Sequence, residues 1–158
     1  MTERTAVHGM FSIERTYPNA TPARVFKAFA DPEAKARWFA GSAELTILLR
    51  EMDFRVGGRE RVKGRWPNGT VSYFNSVYQD IVPDERIVYS YDMELDGVRI
   101  SVSMTTIEFK PSGKGSRLVF TEQDVFLDGF EDKGGREHGS NQLIDLLTAE
   151  IERAGAEA

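Results

Sequence analysis

The sequence predicts an α+β fold, a meandering antiparallel sheet of about six or seven strands that buries one face against a long C-terminal helix. Three observations carry this. Runs of alternating apolar and polar residues are separated by the hairpin signals Pro67-Asn68-Gly69 and Asp96-Gly97. Thr21-Pro22 and Asp31-Pro32 each set a capping residue before a proline at the first helical position, where its missing N–H is not needed. Near the C-terminus Leu143, Ile144, Leu146, Leu147 and Ile151 recur at helical spacing, with Asp145, Glu150, Glu152 and Arg153 mostly opposite.

The first strand is read at His8–Tyr17, where Phe11, Ile13 and Arg15 alternate with Ser12, Glu14 and Thr16, and Pro18-Asn19 ends it. Val25, Phe26, Phe29 and Ala30 form the apolar stripe of the first short helix, and the second runs through Trp38-Phe39. Further strands are expected at Glu44–Arg50, Arg59–Trp66, Val71–Val82, Arg86–Glu94, Val98–Lys110 and Ser116–Phe126. Gly57-Gly58 marks a bulge or sharp bend, and residues 111–115 read as a loop. The acidic, glycine-rich stretch 127–135 would suit a mobile loop before the last helix.

Composition narrows the function classes. A chain of 158 residues is expected to form one domain, residues 1–158 with a core at about 8–154, large enough to fold without a staple. The absence of cysteine removes disulfide scaffolds, thiolate metal sites and cysteine nucleophiles. Two histidines leave little for a histidine metal centre, so neither metal nor cofactor is expected. A net charge of −5 argues against nucleic acid as the main partner. No apolar run reaches a membrane span and no signal core opens the chain, so a cytoplasmic address is the default expectation. Nucleophile elbows, phosphate loops and dinucleotide fingerprints are missing, which weighs against an enzyme of standard type.

Several local phrases sharpen the fold. They are Thr21-Pro22-Ala23-Arg24-Val25-Phe26-Lys27-Ala28-Phe29, Asp31-Pro32-Glu33 with Trp38-Phe39, and Asp53-Phe54-Arg55-Val56-Gly57-Gly58. The run from Tyr78 through Pro83-Asp84-Glu85-Arg86 to Val88, and Arg117-Leu118-Val119-Phe120-Thr121-Glu122-Gln123, complete the set. In this order they resemble the START-related helix-grip (SRPBCC) superfamily. The branch they are most similar to is named after the C-terminal domain of the activator of the heat-shock protein 90 ATPase. The resemblance implies a curved sheet wrapped around the long helix with a cavity between them. It implies roles ranging from lipid carriers through polyketide cyclases to co-chaperone domains. Related sequences often carry Gly-Trp near the start of the last helix. Here Gly139 precedes Ser140, which implies a wider or more polar site.

The leading expectation is a protein that binds a small apolar or amphipathic molecule in that cavity, lined by Trp38, Phe54, Trp66, Tyr78, Tyr89, Met104, Phe120, Glu122, His138 and Leu143. The aromatics would give shape, and Glu122 and His138 would fix polar ligand atoms. For any single aromatic, plain core packing is the simpler reading. Glu122 shares parity with Phe120, so an inward Phe120 brings a carboxylate with it, with Arg59 or Arg61 as the expected cationic partner. His138 reads most simply as an exposed first-turn residue, and the stripe Arg55, Arg59, Arg61, Lys63 and Arg65 as a solvated strand face. A second expectation is a cyclase- or hydrolase-type enzyme in which Glu122 and His138 move protons on a carbonyl-rich substrate. A third is an interaction module with a chaperone partner, and an exposed sheet edge would allow a homodimer.

Overall fold

The computed structural model describes residues 3–40, 43–131 and 134–157. Strand β1 (Ala6–Tyr17) is followed by helices α1 (Pro22–Ala30) and α2 (Pro32–Trp38). Strands β2 (Thr46–Met52), β3 (Arg59–Arg65), β4 (Val71–Val82), β5 (Arg86–Leu95), β6 (Val98–Ser112) and β7 (Gly115–Leu127) come next, and helix α3 (Gly135–Glu157) closes the chain. The seven strands form one open, curved antiparallel sheet in the order β1-β7-β6-β5-β4-β3-β2. Hairpins carry the chain from β2 to β7, and β1 pairs with β7 from Ala6↔Leu127 to Tyr17↔Ser116.

Local chemistry sets the element ends. The Thr21 hydroxyl accepts from the Arg24 N–H at 3.3 Å, which caps α1. Asp31 serves two helices: its N–H donates to the Lys27 carbonyl at 2.9 Å, and its carboxylate accepts from the Glu33 N–H at 3.0 Å. The β5–β6 turn places Asp96 and Gly97 both at positive φ, 50° and 81°, the conformation that a mirror-image two-residue turn demands. Strand β2 lies two residues later than the expected 44–50, β1 starts two residues earlier than expected, and two connecting stretches also differ from the sequence reading. The expected loop at 111–115 is a tight turn at Gly113-Lys114, because the β6–β7 ladder continues through Ser112↔Gly115. Of the stretch 127–135, Leu127 ends β7 and Gly135 starts α3, while residues 132 and 133 lie outside the described residues.

The core lies between the inner sheet face and the helices. Ile144 and Leu147 of α3 are fully buried, together with Val25 and Phe29 of α1 and Ile107, Phe109, Leu118 and Phe120 of the sheet. Phe109 meets the rings of Phe26 and Phe29 edge-on, each at 5.4 Å between centroids. Trp38 packs edge-on against Phe29 at 4.9 Å, and its indole N–H donates to the Ala28 carbonyl at 2.9 Å. This half of the sheet face is apolar and close-packed. The other half, around Ser101, Ser103, Thr105, Glu122 and Asp124, is buried and polar.

Candidate functional site

A cavity of about 520 Å³ remains between the sheet and the first half of α3. Its origin is visible in the side chains of the helix. Toward its C-terminus α3 fills the sheet's concavity with Ile144, Leu147 and Ile151. Toward its N-terminus the wall includes Gly135, Gly139 and Ser140, too small to reach the sheet, and of that first turn only Arg136 spans the gap. The facing wall is aromatic and aliphatic: Trp66, Phe74, Tyr89, Phe120 and Phe126 among others. Phe130 and Leu146 line it while remaining 39% and 41% exposed, which marks where it meets solvent.

One end of the cavity holds a polar network built from β5, β6, β7 and α3. Glu122, 2% exposed, accepts hydrogen bonds at 3.0 Å from the Tyr91 hydroxyl and at 3.0 Å from the Thr105 hydroxyl. Arg136, from the first turn of α3, reaches across and donates to the Tyr91 hydroxyl at 2.9 Å and the Ser101 hydroxyl at 2.8 Å. It stands 3.4 Å from Asp124 and 3.8 Å from Glu122, and its guanidinium lies 5.2 Å from the centre of the Phe126 ring. Asp124 in turn accepts from Ser103 at 2.5 Å.

Burial and the neighbouring Asp124 push the Glu122 carboxyl up to about 8, against the opposing pull of Arg136 and Tyr91. Near neutral pH this end therefore carries a protonated carboxyl on the cavity wall. Burial alone would lower the Arg136 value, but Tyr91, Glu122 and Asp124 raise it, so the guanidinium stays charged.

Of the residues singled out in the sequence, the structure brings five to the cavity wall: Trp66, Tyr89, Phe120, Glu122 and Leu143. The other five lie elsewhere. Trp38 is sealed in the core against Phe29 and Phe39. Phe54 packs on Phe26 and Tyr78 at the core's edge. Tyr78, 1% exposed, lies behind the wall and donates to Glu60 at 2.7 Å. Met104 is on the outward face of β6, 46% exposed, because Ser103 and Thr105 take the inward positions. His138 is exposed in the first turn of α3 and is absent from the lining. The expected partners of Glu122 are also corrected. Arg59 and Arg61 occupy the solvent-side positions of β3, with Arg61 bonded to Glu51, and Arg136 takes the role.

The residues missed are Arg136, Tyr91, Asp124 and the serines of β6. A signal existed in the alternation Ser101-Val102-Ser103-Met104-Thr105, but hydrophobicity alone assigns it the wrong face. A second hollow of about 330 Å³ lies beside the Asp53–Gly58 bend. Of its charged lining residues Glu51, Asp53, Arg55 and Arg59, Asp53 and Arg55 pair with each other at 2.8 Å. Among the described residues no three His, Asp or Glu side chains converge to hold a metal ion. No described helix is long and apolar enough to cross a membrane.

An open sheet gripping a long helix, with a lined cavity between them, defines a helix-grip protein. The family model described as Activator of Hsp90 ATPase homolog 1-like protein matches residues 19–152, and the chain belongs to that family. No curated protein matches it. Among solved structures, an uncharacterized protein from Rhizobium leguminosarum is 44% identical, with 96% of this chain and 99% of that one covered at a TM-score of 0.92. The Mll3558 protein from Rhizobium loti is 43% identical, covering 92% and 99% of the two chains at a TM-score of 0.84. An AHSA1-like protein from Aeromonas hydrophila, at 21% identity, 93% and 94% coverage and a TM-score of 0.67, shares the fold.

Proposed function

We propose that this protein binds a small apolar or amphipathic molecule in the cavity between the sheet and α3. The observation that carries the reading is the division of the wall. Aromatic and aliphatic side chains provide area for an apolar body, and Tyr91, Glu122 and Arg136 gather polar atoms at one end. The volume of about 520 Å³ suits a molecule of drug-like size. Native mass spectrometry of the purified protein, followed by denaturing extraction, tests it. A retained apolar or amphipathic molecule supports the reading. An empty protein that also takes up no member of a library of such molecules contradicts it.

A second reading follows from Glu122 alone. A carboxyl held protonated to about pH 8 on a cavity wall can donate a proton to a bound carbonyl, as a cyclase- or hydrolase-type step requires. That reading demands a pH-dependent turnover abolished in Glu122→Gln, and it gives no role to exposed His138. A chaperone partner, which the family's name brings to mind, rests on that name alone. A pull-down at physiological salt that retains no chaperone disposes of it.

A further inference from the structure

An arginine at the end of an apolar cavity ordinarily invites a carboxylate, as in the recognition of a fatty or aromatic acid. Here the geometry argues otherwise. Resting on the cavity reading above, we infer that the site selects amphiphiles with an uncharged oxygen head, a hydroxyl or a carbonyl, over those with a carboxylate.

The guanidinium is already committed to the protein. Nη1 donates to Tyr91 at 2.9 Å, with Ser103 at 3.3 Å and Asp124 at 3.4 Å, and Nη2 donates to Ser101 at 2.8 Å. Two carboxyl groups, Glu122 and Asp124, stand within 4 Å of it. A ligand carboxylate would be the third acidic group gathered around one cation. It would also lose its hydration on entering a largely apolar cavity.

The site's own residues show the penalty. Glu122 lies 3.8 Å from Arg136 and still has its carboxyl pushed up to about 8, because burial and Asp124 outweigh the guanidinium. A place that resists a second negative charge from its own side chain resists one from a ligand. An ammonium head is opposed by Arg136 itself, whose side chain is 15% exposed. An uncharged oxygen adds no charge, and it can accept from the Glu122 carboxyl that lines the wall with its proton in place.

Titration calorimetry of the full chain near neutral pH tests the inference with three heads on one ring system: naphthalenemethanol, naphthoic acid and naphthylmethylamine. The alcohol is expected to bind about tenfold or more tighter than the acid or the amine. In Asp124→Asn, which leaves Arg136 one carboxylate short, the acid is expected to gain on the alcohol. Should Asp124→Asn not fold, the comparison of the three heads on the wild-type protein decides the inference alone. A wild-type protein that binds the acid or the amine as tightly as the alcohol overturns the inference and leaves the cavity reading standing. Binding of none of the three also overturns the inference, and the cavity reading is then decided by the mass spectrometry and library uptake described above.

Discussion

Glu122 and the Lys35–Glu60 pair are both buried ionisable groups, and they meet the cost of burial differently. Lys35 lies 2.5 Å from Glu60, each side chain is 4% exposed, and Tyr78 donates to the same carboxylate oxygen. Removing one partner strands a buried charge, so Glu60→Ala is expected to lower stability by about 3–5 kcal/mol in urea titration. Glu122 instead keeps its proton. The folded protein holds it up to about pH 8, whereas the ordinary value is 4.5. Its contribution is therefore complete below pH 4.5 and is lost as pH rises through 8. The expected loss is on the order of a few kcal/mol. Melting temperature should fall over that interval in the wild type and fall less in Glu122→Gln; parallel curves would contradict the assignment. Glu122 was half legible in the sequence: it shares parity with Phe120, but the pattern left open which face the pair takes, and the structure turns both inward. Arg136 was not legible, because its partners lie on three strands distant in sequence, and no local pattern encodes that convergence.

At the scale of elements, caps and turns were legible and sheet parity was only partly so. Asp31-Pro32 announced its helix because the chemistry of an N-cap is local, and the structure shows the same residue ending α1. Asp31→Ala is expected to cost about 1 kcal/mol, read as a shift of the denaturation midpoint at constant slope. Strand β6 shows where pattern reasoning fails. Its apolar Val102 and Met104 face outward and its Ser101, Ser103 and Thr105 face inward, an inversion of the usual rule. The reason is that this half of the sheet faces hydrogen-bonding partners from β7 and α3 and not an apolar core. Helix α3 changes character along its length for the same reason. The apolar stripe through Ile144, Leu147 and Ile151 was readable, whereas the functional meaning of the small residues Gly135, Gly139 and Ser140 needed the opposite wall.

At the scale of the whole molecule, the cavity is a consequence of shape. A curved sheet of seven strands and a helix that fills only part of its concavity leave a space, and in this chain the space is apolar along its wall and polar at one end. The order of elements was readable because each hairpin signal is local. The boundary between filled and unfilled concavity was not, since it depends on which helix residue meets which strand residue. Trp38, Phe54 and Tyr78 therefore fell on the filled side, and Trp66, Tyr89 and Phe120 on the open one. The most direct test is to close the space. Ser140→Trp places an indole in the cavity from α3, at a wall position that is 8% exposed. Uptake of the uncharged fluorescent dye Nile red should saturate in the wild type, with a blue-shifted emission. It should be lost in Ser140→Trp at an unchanged melting temperature. Equal uptake by both folded proteins would contradict the claim that this cavity is the binding site.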